Sequence, residues 1–339
     1  MVEIGQGEAK EFLEKITSGD NVAIITDHDP DGFTSGALFY DYCLKKGARV
    51  KQFTFIRGTS SVENFNLDEF TTIITTDINS GHLAKTIEKY CDKKILLMDH
   101  HPKNAELPES VLEYRTLDRG YIPSARSAYE LTGGKYWLSL VGCFADAAEK
   151  YSENDDFLKE GLEVAGMSEE EFKNNVAWKL SNVIIYLDSD PSKAFSLIRG
   201  LKDPSEVSLI EEYSEPIESE AKKILNSFES EKEDLGGITY FYFEPKYPVK
   251  PVVTSISLRK ENLDKIFLFA SPKTDGSDNV SISARSQTGR IDMAKLLKIG
   301  IGDMEGEYGG HFKASGATIM AKDLEKFKEN IRKYARENL

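Results

Sequence analysis

The sequence predicts an α/β protein built from two domains. Three observations support this: predicted strands and helices alternate over the first hundred residues, acidic residues or histidines follow three of those strands, and a polar helix-prone stretch precedes a second set of strands. Such alternation is typical of a parallel sheet with helices on its faces. With 339 residues, 40% of them hydrophobic, the chain is long enough to build two cores.

The composition argues against a membrane-spanning or secreted protein. No apolar run approaches the roughly 20 residues of a membrane-spanning helix, and the opening MVEIGQGEAKEFLEKI predicts an amphipathic helix rather than a signal peptide. Cys43, Cys91 and Cys143 are far apart and form no Cys-x-x-Cys pattern, which is typical of free thiols in a reducing compartment. We therefore expect a soluble, cytoplasmic protein with no membrane partner.

The net charge of −14 argues against a protein that coats DNA through bulk electrostatics. Residues 251–339 nevertheless carry +3, which leaves −17 for residues 1–250. This less acidic C-terminal part could face an anionic substrate, although a solvated surface explains the difference equally well.

The first predicted strand lies in Asn21 to Ser35 (NVAIITDHDPDGFTS) and runs directly into Asp27, Asp29 and Asp31. Residues two apart in an extended segment project to the same side, so the three carboxylates can converge. Burying like charges together is costly, and a divalent metal ion would compensate them. Two other interpretations are a plain turn and an EF-hand calcium loop. The EF-hand needs flanking helices and a glutamate where this chain has Leu38.

Further elements follow in the order expected of a parallel sheet. The predicted elements are a helix at Phe33–Lys46, a strand at Arg49–Ile56, a strand at Phe70–Ile78, a helix at Ser80–Cys91 and a strand at Ile95–Met98. Asp77 ends the third strand, and Asp99, His100 and His101 follow the fourth. Ligands bind outside the carboxyl ends of parallel strands. Carboxylates with one or two imidazoles suit Mn²⁺ or Mg²⁺.

The next segments are less informative. Leu138–Lys150 predicts an apolar helix, and its Asp146 is either a structural residue or a ligand that reaches inward. Residues 151–203 predict an acidic, solvated helical insert. Asp188 and Asp190 lie there in YLDSDPS, which is ordinary turn chemistry.

A helical linker is predicted at residues 206–235, between a first domain at 1–205 and a second at 236–339. Strands in the second domain are predicted at Gly237–Phe243, Val252–Ser257, Ile266–Ala270 and Val280–Ala284, and helices at Ile291–Lys298 and Asp323–Glu337. Two motifs there could carry chemistry. Ser283–Ser286 (SARS) presents Arg285 at a strand end. Gly309–Gly316 (GGHFKASG) is either a loop that binds phosphate or a plain glycine-rich turn.

Together these motifs resemble the DHH phosphoesterase superfamily, in particular its RecJ-like branch. The matching stretches are Asp27–Gly32 with Thr34 and Ser35, Asp77, Asp99–His101, Val141–Asp146, Ser283–Ser286 and Gly309–Gly316. Each motif alone is moderately specific, whereas all of them in this order, from Asn21 to Ile319, are highly specific. The implied fold is a parallel-sheet DHH domain, a helical linker and a smaller α/β domain, with the active site in the cleft between the domains.

The resemblance also implies roles for individual residues. Asp27 and Asp29 would bind one metal ion, Asp31, His100 and Asp146 a second, and Asp77 would bridge the two. The implied catalytic residues are Asp29, Asp77, His100 and His101. The implied substrate-binding residues are Arg285, Ser286, Gly309, Gly310, His311 and Lys313. The expected cofactor is two Mn²⁺ ions, with Mg²⁺ as the alternative.

The function implied is an exonuclease for single-stranded DNA or RNA, in which a hydroxide activated by two metals attacks phosphorus in line. One alternative is a phosphatase or phosphodiesterase of very short substrates, such as oligoribonucleotides, cyclic dinucleotides or 3′-phosphoadenosine 5′-phosphate. An alternative of another class is an inactive scaffold in a replication or repair assembly. The expected partner is a single-stranded nucleic acid or short oligonucleotide. The resemblance also allows a homo-oligomer and contacts with replication or repair proteins.

Overall fold

The computed structural model describes residues 2–56, 64–273 and 276–339. The chain divides into two compact units between Ser214 and Glu215. This point lies inside the stretch 206–235 that we assigned to a linker from the sequence. The three-part scheme of domains and linker stays a prediction.

The first unit contains a six-stranded sheet whose neighbouring strands are all parallel. Its strands are β1 (Val2–Ile4), β2 (Asn21–Asp27), β3 (Arg49–Phe55), β4 (Thr72–Thr76), β5 (Lys94–Asp99) and β6 (Val111–Arg115). Their order across the sheet is β1-β6-β5-β4-β2-β3. The predicted parallel sheet is therefore confirmed, and β1 and β6 are additions to it.

The order of the sheet reverses at β2. After β2 the chain places β3 on one side of it and β4 on the other. In open α/β sheets, the crevice outside the carboxyl ends of the strands at such a point is where ligands bind. All of β4 and nearly all of β2 are buried, as expected for a sheet with helices on both faces.

Helices cover both faces of this sheet. They are α1 (Gln6–Glu14), α2 (Pro30–Lys45), α3 (Ser80–Lys89), α4 (Ser124–Thr132), α5 (Tyr136–Ala145), α6 (Asp155–Ala165), α7 (Glu169–Phe172), α8 (Trp178–Tyr186) and α9 (Pro191–Gly200). Leu13 of α1 and Phe39 of α2 pack on one face, and Leu83 and Ile87 of α3 pack on the other. Among the described residues, no helix combines the length and apolar composition needed to cross a membrane.

The helices α6 to α9 are not the solvated insert expected from the sequence. Leu158 of α6, Leu180 of α8 and Phe195 of α9 share a buried core with Phe33 of α2 and Leu140 of α5. The expectation was wrong because it weighed the many acidic residues and not the apolar residues that recur at helical spacing between them. This layer supports α2 and α5 from behind.

The second unit contains a mixed six-stranded sheet with the order β11-β12-β10-β9-β8-β7. Its strands are β7 (Glu233–Asp234), β8 (Ile238–Tyr242), β9 (Ile266–Pro272), β10 (Asn279–Ser286), β11 (Gly306–His311) and β12 (Ala314–Met320). The accompanying helices are α10 (Glu215–Glu231), α11 (Lys250–Thr254), α12 (Met293–Ile301) and α13 (Leu324–Asn338). The predicted smaller α/β domain is confirmed.

Two local predictions in this unit were wrong. The segment Val252–Ser257 is helical rather than extended. Pro251 stands in the first turn of α11, where its missing N–H costs nothing, and Val253 and Ile256 are buried three residues apart. The stretch Gly309–Gly316 is not a loop but part of the hairpin β11–β12. Glycine is a poor strand former, so its composition hid the hairpin.

Candidate active site

Three neighbouring strands bring polar residues to one edge of the first sheet. β4 pairs with β2 on one side and with β5 on the other. Asp27 is the last residue of β2, Asp77 follows the end of β4, and Asp99 ends β5 just before His100. Because the strands are parallel, these residues meet at the carboxyl edge.

The first turn of α2 supplies two further carboxylates. Asp29 is the N-cap of this helix, and its side chain accepts a hydrogen bond of 2.8 Å from the Gly32 amide. Pro30 occupies the first helical position, and Asp31 lies fully buried in the first turn. Acidic residues and a proline are the residues a helix N-terminus favours. The local sequence therefore orients both carboxylates toward the sheet edge.

The start of α4 holds Asp31 in place. The amides of Ser124 and Ala125 each donate a hydrogen bond of 2.8 Å to its carboxylate. The Ser124 hydroxyl also lies 3.1 Å from Asp77 Oδ1. This helix terminus was not predicted from the sequence. Pro123 and Ser124 ahead of a helical pattern are the signal that could have found it.

Asp146 reaches the site from the end of α5, where it is the C-cap residue. Gly142, one turn earlier, allows the close approach of α5. A Cβ atom there would lie 2.5 Å from both Asp31 Oδ1 and the Ala125 side chain. Within the described ranges, the non-glycine residues with positive φ are Asp77 (65°) and Ala147 (54°). Both adjoin or belong to the site, where strained backbone is often concentrated.

All six predicted metal ligands come together. Three groups have ligand atoms within 4.8 Å of one another: Asp27 with Asp29 and Asp77, Asp31 with His100 and Asp146, and Asp77 with His100 and His101. The first two groups together contain the complete predicted set. The third adds His101, which was predicted to be catalytic. Binding of metal by these residues stays a prediction.

The electrostatics of this cluster favour a cation. Burial, followed by repulsion from Asp27 and Asp146, raises the pKa of Asp29 to about 6. Burial and neighbouring carboxylates also raise the pKa values of Asp31 and Asp77 well above the ordinary value. Within the described part of the chain, no lysine or arginine forms an ion pair with these three aspartates. Oxygen donors with one imidazole nitrogen match the ligands that Mn²⁺ and Mg²⁺ prefer.

The two histidines have different surroundings. His100 is buried, and its Nε2 lies 3.2 Å from Asp77 Oδ1 and 3.3 Å from Asp146 Oδ2. Burial lowers the pKa of His100, which keeps the ring neutral and able to coordinate a metal. His101 is one-third exposed, and its Nδ1 lies 2.7 Å from Asp99 Oδ1.

A buried arginine fixes Asp99. Arg115, at the end of β6, lies 3.3 Å from Asp99 Oδ2, donates to the carbonyl of His101 and pairs with buried Glu113. Burial alone would raise the pKa of Asp99, but the hydrogen bond from His101 and the charges of His101 and Arg115 hold it below its ordinary value. Asp99 therefore stays ionised and orients the His101 ring. No sequence pattern identified Glu113 or Arg115.

Two tyrosines border the cluster. The Tyr121 hydroxyl lies 2.8 Å from Asp146 Oδ2, and its ring packs edge-on against His100 at 5.2 Å. Tyr151 stacks on Tyr121 with ring centroids 4.4 Å apart, and 41% of Tyr151 is exposed. Neither tyrosine was identified from the sequence.

Asp188 and Asp190 lie outside the three ligand groups found among the described residues. Asp190 caps α9, as expected of ordinary turn chemistry. Asp188 Oδ1 lies 3.6 Å from Nδ1 of His28, whose side chain is largely buried. His82 is an exposed residue of α3 and lies outside these groups as well.

In the second unit, the strand register places several predicted residues on one face. Arg285 pairs with Ala314, which pairs with His311. Directly paired residues of antiparallel strands lie on the same face. Two residues along, Ser283, Gly316 and Gly309 form a parallel row. We call this surface the polar face and define it by the following residues: Ser281, Ser283, Arg285, Gly309, His311 and Gly316.

The other predicted substrate-binding residues lie elsewhere in this unit. Ser286 follows Arg285 and lies at a position of the opposite face, where it is buried. Gly310 pairs with Ser315 and also belongs to the opposite face. Lys313 lies exposed in the turn between β11 and β12. The functions of all six residues stay predictions.

Two family models match this chain. One is described as the DHH family, N-terminal domain, and matches residues 21–161. The other is the DHHA1 domain, which matches residues 245–337. No curated protein matches the sequence significantly.

Solved structures share the fold at low identity. The exonuclease RecJ bound to manganese matches with 18% identity and a TM-score of 0.75, covering 100% of this chain and 96% of that chain. RecJ from Thermus thermophilus in complex with Mn²⁺ matches with 18% identity and a TM-score of 0.73, covering 98% of this chain and 55% of that one. A pGpG-specific phosphodiesterase from Vibrio cholerae matches with 10% identity and a TM-score of 0.53, covering 94% and 100% of the two chains.

Proposed function

Because this chain belongs to the DHH superfamily, whose phosphoesterase fold it has, we propose that it is a metal-dependent exonuclease for single-stranded DNA or RNA. The observation that carries the proposal is the convergence of Asp27, Asp29, Asp31, Asp77, His100 and Asp146 at the carboxyl edge of the parallel sheet. Six side chains that can each donate a ligand atom are enough to bind two metal ions. A turn or a structural ion pair would need fewer of them.

The proposed cofactor is two Mn²⁺ ions, or Mg²⁺ in their place. Asp27 and Asp29 would hold one ion, Asp31, His100 and Asp146 the other, and Asp77 both. Two bound divalent cations would lower the pKa of a water molecule and neutralise charge on the phosphate oxygens. The raised pKa values of Asp29, Asp31 and Asp77 support this, because burial and mutual repulsion both disfavour three ionised carboxylates when no cation compensates them.

The chain itself would position the substrate and handle protons. Asp99 contacts Nδ1 of His101 and orients the ring, and His101 would contact a phosphate oxygen or exchange a proton with the substrate. Ser124 and Ala125 keep Asp31 oriented through their amides. Arg285, His311 and the nearby glycine amides would bind substrate phosphate on the second unit.

The stacked tyrosines support a nucleotide as the substrate. Tyr151 is exposed, rests on Tyr121, and is linked through it to Asp146. Exposed aromatic rings beside a phosphate site can stack on nucleobases. A substrate made only of phosphate groups would leave this surface unused.

A second candidate is a phosphodiesterase or phosphatase of very short substrates. The fold is shared with the pGpG-specific phosphodiesterase, and the net charge of −14 suits a small substrate better than a long polyanion. The scaffold alternative has less support, because an inactive relative has no need to keep six ligands in contact distance.

Purified protein with Mn²⁺ should be incubated with end-labelled single-stranded DNA, single-stranded RNA, a dinucleotide and 3′-phosphoadenosine 5′-phosphate. Stepwise shortening of the long strands is expected. Turnover of only the last two substrates would replace the exonuclease with the short-substrate enzyme. No Mn²⁺-dependent turnover of any substrate would favour the scaffold.

A further inference from the structure

A lysine that our sequence analysis did not identify lies next to the polar face of the second unit. Lys250 begins α11, and its Nζ donates a hydrogen bond of 2.7 Å to the carbonyl of Ser281 on β10. Ser281 and Arg285 lie four residues apart on this strand, so their side chains share a face. Lys250 lies near enough to Arg285 for the two charges to act on one another.

Apolar packing removes this surface partly from water. Phe267 pairs directly with Arg285 across the sheet, and it packs against Phe228 of α10. Phe228 in turn packs edge-on against Phe241 of β8. We call these three phenylalanines the aromatic wall. Charges beside the aromatic wall interact more strongly than charges on an open surface.

The charges on this surface have the same sign. Arg285 Nη1 donates to the carbonyls of Ala284 and Ser315, and Lys250 donates to that of Ser281. Across the described ranges, no carboxylate forms an ion pair with Lys250 or Arg285. A guanidinium has five N–H donors and an ammonium has three, so several donors have no anionic partner.

Burial and the neighbouring like charges change the pKa of Lys250. Burial, followed by the charges of Arg285 and Lys273, lowers the pKa of Lys250 to about 7. Burial also lowers the pKa of Arg285. A bound anion would offset both effects, and a planar guanidinium beside an ammonium suits an anion with several oxygen atoms.

We propose that Lys250, together with Arg285, binds a phosphate group of the substrate on the second unit. The proposal rests on the proposed function only in taking the phosphate to be that of a nucleotide substrate. It adds Lys250 to the substrate-binding residues and predicts that nucleotides bind this unit without metal ions.

The test is calorimetric titration of the 339-residue chain in EDTA, with inorganic phosphate, thymidine 5′-monophosphate and thymidine as separate probes. EDTA removes metal, so no turnover occurs and the acidic cluster of the first unit repels the probes. The wild-type chain should bind both inorganic phosphate and thymidine 5′-monophosphate. Thymidine should bind at least tenfold more weakly. Lys250→Met should weaken the binding of both by roughly tenfold to a hundredfold, the range for a charged hydrogen bond.

Two variants separate loss of the site from loss of the fold. Lys250→Arg keeps the positive charge but presents it on a larger, planar group, so its binding should fall between that of the wild type and that of Lys250→Met. Lys295→Met removes an exposed charge from α12, a helix whose buried side chains pack on the opposite face of the sheet, and should bind like the wild type.

Unchanged phosphate binding by Lys250→Met would overturn the proposal, as would the absence of binding by the wild-type chain. Binding of inorganic phosphate without binding of thymidine 5′-monophosphate would overturn the assignment to a substrate phosphate. Intact, Lys250-dependent binding in a protein that hydrolyses no phosphoester would overturn the proposed function and leave this site standing.

Discussion

The two units present opposite electrostatic problems. In the first, aspartates are buried together at the carboxyl edge of a parallel sheet, and burial, followed by repulsion between them, raises the pKa values of Asp29, Asp31 and Asp77. In the second, Lys250 and Arg285 lie partly buried beside an aromatic wall, and their pKa values are lowered. In the proposed function, cations would complete the first site and a phosphate anion the second.

Asp77→Asn is the strongest test of the acidic cluster in the first unit. Asparagine keeps the shape and tolerates the positive φ of this position, but it removes the charge shared by both proposed metal sites. We expect kcat to fall by at least about a hundredfold. The metal-free variant should melt at or above the wild-type temperature, because one buried repulsion is lost. Asp92→Asn, at an exposed position, should behave like the wild type in both assays.

Arg285→Ala tests the site proposed for Lys250 and Arg285 in the second unit. If this site only binds substrate, KM should rise by roughly tenfold to a hundredfold while kcat changes little. Arg336→Ala removes an exposed charge from α13 and serves as the matched control. A fall in kcat with unchanged KM would break the distinction between a catalytic anionic site and a binding cationic one.

The pH dependence of metal binding tests whether the raised pKa values of the first unit matter. Asp29 titrates near 6 in the folded chain and near 3.8 when unfolded, so the metal-free fold loses stability as pH rises through this range. Mn²⁺ must displace those protons. The rise in Tm on adding Mn²⁺ should therefore be larger at about pH 7.5 than at about pH 5. An equal shift at both pH values would show that the raised pKa values play no part.

Gly142→Ala changes packing without changing charge. The added methyl group would lie 2.5 Å from Asp31 Oδ1, so Asp31 or α4 must move. We expect unfolding free energy to fall by about 1–3 kcal/mol and Mn²⁺ affinity to fall with it. Gly200→Ala, in open space at the end of α9, should change stability by less than about 1 kcal/mol. Equal effects of the two variants would contradict the close approach of α5.

The sequence predicted those parts of the site that depend on local pattern. Asp27, Asp77 and His100 each follow a short apolar strand, and parallel strands bring such ends together. Contacts between distant segments left no such pattern. Ser124 and Ala125 meet Asp31 across more than ninety residues, and only the packing of α4 against α2 and α5 reveals this.

In the second unit, composition misled the local predictions. Val253 and Ile256 are β-branched residues in a helical segment, because tertiary packing outweighed their strand propensity. Glycines concealed the β11–β12 hairpin. Lys250 was missed because its significance depends on Arg285, thirty-five residues later, and on burial that no sequence pattern encodes.

The most direct test of the central claim is a calorimetric titration of the metal-free chain with Mn²⁺ near neutral pH. We predict two Mn²⁺ ions per chain for the wild type, and reduced stoichiometry or a large loss of affinity at both sites for Asp77→Asn. Failure of the wild type to bind two ions would contradict it. So would an Asp77→Asn variant that binds two ions as tightly as the wild type.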